Sequence, residues 1–180
     1  MYNNHRYVQY LWLFFSTVIV MTLFLKRDVS ADNQCFIVYD ALGAEQYRVI
    51  KPTEGILTKY KFVVTDLNGV AAAKIRRLPF VGTSTYVLRF GNKHVTLLTV
   101  PTAKGIYSYF YGSNWHIVGE LAAKNFSIID VDKTLILEHR LCADYCELTI
   151  PDSANVLFCI ATSVCANLIN TIDSPALQAI

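Results

Sequence analysis

The stretch ANVLFCIATSVCANLI, residues 154–169, runs for sixteen residues without a charge. Whether it lies in lipid or inside protein decides what kind of fold the chain makes. On a helical wheel it is apolar or small on nearly every side, and such a helix is either fully buried or in a membrane. The flanks argue for burial. Asp152 and Asp173 are acidic, and neither end carries the Lys or Arg that anchors a membrane interface. Asn155 and Asn167 lie within the run, where an unpaired amide is costly in hydrocarbon. Ala154, Ala161, Ser163 and Ala166 are small enough for neighbouring backbone to come close. Pro151, Asp152 and Ser153 make a helix start, since Pro fits the first turn and Asp or Ser caps it. Asp173, Ser174 and Pro175 make a stop, so a core helix is predicted over residues 152–172 and a tail over 174–180.

The residues ahead of the helix show what could bury it. CFIVYDALGAEQYRVI (35–50) reads as strand, turn, strand, with the bend at Asp40 to Gly43. KFVVTDLNGVAAAKI (61–75) repeats that design, with Asp66 for Asp40, Gly69 for Gly43 and Phe62 for Phe36. A D-x-x-G turn works because Asp bonds the backbone just after it and Gly tolerates positive φ. STYVLRF, KHVTLLTV, IYSYFY, WHIVGEL, NFSIIDV, KTLILEHR and DYCELTI continue the series, and FGNKHV and DVDKT supply further tight turns. Short strands joined by turns rather than helices indicate an antiparallel meander. A closed barrel of about a dozen strands has a lumen too wide for its own side chains to fill. A helix of about 20 residues is near 30 Å long, enough to thread it. The predicted fold is therefore mainly β (α+β): about 12 antiparallel strands in a closed barrel around a central hydrophobic C-terminal helix.

Composition agrees with one domain. At 180 residues the chain can bury a core without metal or disulfide staples. Apolar residues make up 53% and charged ones 17%, and a net charge of +2 is too small to argue for nucleic acid. The five cysteines, Cys35, Cys142, Cys146, Cys159 and Cys165, are odd in number and scattered, which suits a reducing compartment. Cys142 and Cys146 in CADYC could clamp a metal or close a bridge, but no second ligand pair stands nearby.

The other long apolar run is YVQYLWLFFSTVIVMTLFL, residues 7–25, followed by Lys26, Arg27 and Asp28. Its nineteen residues reach the length of a spanning helix. Three readings stand. It is a membrane anchor between His5–Arg6 and Lys26–Arg27, or a signal peptide cleaved after VSA at 29–31, or an extension ahead of a start at Met21. The three charged residues between the run and VSA count against cleavage.

FIVYDALGAEQYRV, FVVTDLNGVAAAKI, WHIVGEL, FSIIDVDKTLILEHR and YCELTIPDSANVLFCIATSVCANLI together resemble the tubby C-terminal-like superfamily. The closest branch is that of small bacterial proteins grouped with the plant LURP-one-related family and related to phospholipid scramblases. The last segment is the most specific: a strand, an acidic Pro/Asp turn, then an apolar helix that closes the domain. The likeness covers roughly residues 22–173. It implies twelve strands around a C-terminal helix, with the first strand near 22–29. Only residues 7–21 then remain for a membrane helix, and fifteen residues span about 22 Å, short of a ~30 Å hydrocarbon core. Bilayers thin around short helices, so a short anchor stays open. The chain divides into an extension or anchor over 1–21, a barrel domain over 22–173 and the tail.

No catalytic constellation stands out, and no enzyme activity or cofactor is expected. His5, His94, His116 and His139 are dispersed without metal spacing, and no phosphate loop or nucleophile elbow occurs. In the second hairpin, pairing Thr65 with Val70 sets Lys61 opposite Lys74 and Lys59 opposite Arg76. Four cations would then share the outer face, although like charges opposite one another destabilise a sheet. Such a patch suits an anion such as a phospholipid headgroup, or serves as a solvated face that discourages edge pairing. Tubby proteins bind phosphoinositides through a basic surface, so the resemblance implies a non-catalytic binding or scaffold module at the cytoplasmic membrane surface, attached there through residues 7–25. Scramblase-like lipid transfer is a second reading, though the scramblases' calcium-binding and cysteine-rich palmitoylation segments have no counterpart here. An enzyme or small-ligand carrier is the third. Nucleic acid is not expected as a partner, and oligomeric state is not encoded legibly.

Overall fold

A computed structural model describes residues 20–28, 34–53, 61–80, 83–103 and 105–169. Twelve strands precede one helix: β1 (Met21–Arg27), β2 (Gln34–Asp40), β3 (Glu45–Ile50), β4 (Phe62–Thr65), β5 (Ala71–Phe80), β6 (Thr83–Phe90), β7 (Lys93–Thr102), β8 (Gly105–Tyr111), β9 (His116–Glu120), β10 (Asn125–Ile129), β11 (Leu135–Leu141), β12 (Tyr145–Ile150) and α1 (Val156–Ile169). They form one antiparallel sheet in the order β8-β7-β6-β5-β4-β3-β2-β1-β12-β11-β10-β9. Period-two burial explains the wall. In β12, Cys146, Leu148 and Ile150 are buried, while Tyr145, Glu147 and Thr149 between them point outward. β1 joins the two ends of the meander, pairing Met21 with Ile150 and Leu25 with both Val38 and Cys146. The barrel is nearly closed. Among the described residues no ladder joins β8 to β9, the two outermost strands, which are connected through residues 112–115.

The predicted core helix is present, with a 3-10 turn over Ser153–Asn155 leading into the 14-residue α1. Its start is capped as the sequence suggests, the Asp152 carboxylate accepting from the Ala154 N–H at 2.9 Å. Phe158, Cys159, Ile160, Ala161, Val164, Cys165 and Ala166 are fully enclosed. At the entry end the Phe158 ring meets those of Trp115 (centroids 4.3 Å apart), Phe110 (5.3 Å) and Phe90 (5.8 Å), which ties β6, β8 and the 112–115 connection to the helix. The helix's polar groups are largely satisfied from within. Ser163 Oγ donates to the Cys159 carbonyl at 2.8 Å, and Asn167 Nδ2 donates to the Ser163 carbonyl at 2.9 Å and to Cys146 Sγ at 3.5 Å. Among the described residues no helix is long and apolar enough to cross a membrane.

Met21–Arg27 is strand, with Leu23 and Leu25 each 1% exposed. The last five residues of the apolar run 7–25 thus build the barrel wall as part of β1. Residues 1–19, the VSA site at 29–31, residues 170–172 and the 174–180 tail lie outside the described residues.

Three turns at one end of the barrel share a geometry. Asp40, Asp66 and Asp130 each direct Oδ1 to the N–H groups two and four residues on, at 2.8–2.9 Å. The fourth residue of each is left-handed: Gly43 (φ 79°), Gly69 (77°) and Lys133 (64°). The Ala44 N–H, followed by those of Leu42 and Gly43 and the Gln46 side chain, holds the Asp40 carboxyl below the usual range. Asp40 and Asp66 were legible as a repeat, and DVDKT supplies the third copy. Gly119 is fixed for a different reason: it has φ +96°, and a Cβ there would lie 2.8 Å from the Asn125 carbonyl oxygen of the neighbouring strand.

His139 is 1% exposed on β11, stacked on Phe126 (centroids 4.6 Å apart). Its Nδ1 lies 2.7 Å from the Lys124 carbonyl, which can only accept, so Nδ1 carries the proton and Nε2 is the bare nitrogen. Burial lowers its pKa to about 4.

Two predictions follow from this core. All five cysteines are free thiols, Cys35 and Cys142 half-buried and the other three buried. Burial raises the Cys159 and Cys165 thiols well above their ordinary value. A maleimide is expected to modify only Cys35 and Cys142 in the native protein, with Cys146, Cys159 and Cys165 reacting after denaturation. Native labelling of Cys159 or Cys165, read by peptide mass, would contradict the central helix. For His139, the unfolded chain takes up a proton below pH ~6.5 that the folded chain refuses until about pH 4. Its contribution is present above 6.5 and lost as pH falls through that window, amounting to roughly 3 kcal/mol. Denaturant melts from pH 7 to 4 should show this loss in the wild type and a flatter profile in His139→Gln. Identical profiles would exclude it.

Candidate anion-binding face

The outer wall of β5, β6 and β7 collects positive charge. Alternation fixes which side chains point outward: Ala73 and Ile75 face the helix, so Lys74 and Arg76 face away. By the same rule Arg89 lies outside Leu88 and Phe90, and His94 beside inward Val95. Register then sets Lys74 opposite Arg89 and Arg89 opposite His94, with Arg76 one step down opposite Val87. Arg76, Arg89, Lys93 and His94 are exposed and Lys74 is half-buried. No acidic side chain interrupts this sector, because residues 67–119 contain six Lys or Arg and not one Asp or Glu. Residues 120–180, by contrast, hold eight acidic residues against three Lys or Arg. The ion pairs follow that division. Lys26–Asp144 (2.9 Å), Arg140–Glu138 (2.6 Å) and Arg48–Glu45 all sit on β1, β3, β11 and the β11–β12 turn. Among the described residues Arg76, Arg89 and Lys93 have no such partner.

Tyrosines border the cations. Tyr107, Tyr109 and Tyr111 project from β8 and are exposed, with the first two rings 5.8 Å apart. Across the β7–β8 ladder they stand opposite Val100, Leu98 and Thr96.

The four cations expected from the second hairpin fare differently. Lys74 and Arg76 take the outer face as predicted, and Lys59 lies outside the described residues. Lys61 is half-buried just before β4, its N–H bonded to the Ile75 carbonyl at 2.7 Å and its ammonium 5.9 Å from the Phe62 ring centre. The expected pairing of Lys61 with Lys74 is not found, since Lys74 opposes Val63 and Ile75 opposes Phe62. Two features move the register. The Asp66 turn closes on Val70 through an Asp66 N–H to Val70 carbonyl bond, and a bulge follows between Val64 and Thr65. Arg89, Lys93 and His94 were missed because they meet β5 only through the β5–β6 and β6–β7 ladders. The acid-free run 67–119 was the available signal.

The structure is similar to the X-ray structure of the Arabidopsis thaliana protein AT5G01750, a LURP-one/tubby-like fold, with a TM-score of 0.51 and 12% sequence identity over 81% of this chain and 91% of that one. That likeness establishes the fold. No protein-family profile and no curated protein matches the chain.

Lys74 and Arg89 face each other across a ladder, an arrangement that costs about 0.2–1 kcal/mol. Arg89→Glu should turn the repulsion into attraction and raise Tm by up to about 3 °C. A lower Tm in calorimetry would show that the like-charged pair carries no such cost.

Proposed function

We propose that the chain is a non-catalytic tubby-like module that binds anionic lipid at a membrane surface through the outer wall of β5–β7. The observation that carries this reading is the acid-free sector, in which Lys74, Arg76 and Arg89 share the outer face of the barrel and exposed Lys93 stands at its rim, where β7 begins. A sheet that keeps like charges opposite one another gives up stability unless the field they create is used. The adjoining tyrosines suit the same setting, because aromatic rings with a polar tip favour the headgroup level of a bilayer. The enclosed helix leaves the outer wall as the available binding surface.

Each Lys or Arg near an anionic leaflet contributes about 1 kcal/mol. Replacing Lys74, Arg76, Arg89 and Lys93 together by Gln is expected to weaken flotation with phosphatidylserine vesicles at least tenfold. Wild-type binding should also fall as salt rises, since exposed charges are screened beyond about 10 Å at 0.1 M. Undiminished binding by the fourfold variant, with the fold intact by circular dichroism, would end this assignment.

A further inference from the structure

The end of the barrel where β1 begins also carries the three Asp-anchored turns, each presenting an exposed apolar side chain, though in the third exposed Asp132 and Lys133 flank Val131. Leu42 is 93% exposed, and Leu67, Val70 and Val131 are each 61% exposed. Each side chain is presented by a turn whose backbone is pinned by two Asp-accepted hydrogen bonds, so none can fold back onto the barrel without breaking them. Exposed apolar residues scattered singly need no explanation, but four gathered at one end do.

We propose that this end of the barrel faces the bilayer, its apolar turn tips entering the lipid interface while the adjoining cations meet the headgroups. The proposal rests on the membrane reading above and adds an orientation to it. Three observations name lipid as the occupant. The chain enters β1 at this end through exposed Val20, and residues 7–20, YVQYLWLFFSTVIV, are uncharged and strongly apolar. Lys93 opens β7 and Arg89 stands next to the end of β6, so positive charge lies at this same end of the barrel. Tyr111 ends β8 at the same level, 74% exposed. Apolar tips backed by Arg, Lys and Tyr follow the order of a membrane interface from acyl chains to headgroups. At the opposite end Leu121 and Ala122 are buried, Asp144 is engaged by Lys26, and the exposed apolar side chains are less accessible, Leu141 at 47% and Ile106 at 37%.

The test uses the full chain with Cys35 and Cys142 changed to Ser, leaving the three buried thiols unlabelled. Leu42→Cys, Leu67→Cys and Val131→Cys are each labelled with bimane, and Leu141→Cys at the opposite end serves as reference. Vesicles of phosphatidylcholine, with or without phosphatidylserine, carry doxyl-labelled lipid as quencher. The three tip labels are expected to lose about half their emission or more, consistent with entry of 5–10 Å, while the Leu141→Cys label stays bright. Quenching at Leu141→Cys alone, or at no position, overturns the orientation. A concentration-dependent oligomer that Leu42→Ser, Leu67→Ser and Val131→Ser disperse, with no tip quenching, would assign the tips to a second copy instead. The two membrane claims fail separately. Tip quenching that persists in the Lys74, Arg76, Arg89, Lys93 to Gln variant and needs no phosphatidylserine removes the charge reading and keeps the orientation. Salt-dependent vesicle binding without tip quenching does the reverse.

Discussion

Enclosure of a helix that is apolar on every side is the constraint on which the rest depends. α1 is buried along most of its length, with Leu157, Asn167 and Leu168 partly exposed, so nearly every turn of it needs wall around it. A twelve-stranded sheet alone would enclose a space its own side chains cannot fill. Helix and barrel therefore require each other, and Phe158 marks the closest fit, wedged among Trp115, Phe110 and Phe90. That cluster holds β6, β8 and the connection leading into β9 to one ring beside the seam where the ladder is missing. The inner surface is used up by packing, with Tyr86, Ile75, Leu88 and Leu97 all closed off from solvent. What stays accessible to solvent is the outer wall and the two ends.

The outer wall is divided by charge. Around β1, β3, β11 and β12 acids and bases alternate and pair, as on an ordinary solvated surface. Across β5–β7 no acidic residue stands among the cations, and Arg89 lies between Lys74 and His94 in one row. A single strand could carry such charges by chance of composition. Three consecutive, adjacent strands, with no carboxylate over residues 67–119, make a continuous field of one sign.

Much of this was legible from the sequence because it rests on local rules. The helix shows as a charge-free run with acidic flanks, the strands as period-two alternation, and two of the turns as Asp followed three positions later by Gly. Register was less legible, because one extra turn residue and one bulge together moved Lys74 from Lys61 to Val63. Neither leaves a compositional trace. The site suffered more than the fold for the same reason: inward or outward direction survives a shift of two residues, whereas the identity of the opposing residue does not. The contribution of Arg89 and His94 depended on which hairpins lie side by side. In the DVDKT turn the missing Gly hid the third repeat, although Lys133 occupies the same left-handed backbone as Gly43 and Gly69.

That substitution bears on what the turns are for. A non-glycine residue in left-handed conformation costs roughly 1–2 kcal/mol, and Gly in the two sister turns avoids it. The Asp130 turn keeps the geometry regardless, held by the Asp132 and Thr134 N–H groups on the Asp130 carboxylate. The outcome is an exposed Lys133 two residues from the exposed tip Val131. Backbone strain is tolerated where neighbouring contacts over-determine it, and here the contacts are the same Asp hydrogen bonds that fix the apolar tips elsewhere. Three turns of one shape, set by carboxylates rather than by core packing, hold their side chains in place before any partner arrives. Such pre-organisation lowers the ordering cost of binding. The Asp turns thus place rigid apolar points at the end where the chain enters the barrel, the same end at which β6 closes and β7 begins.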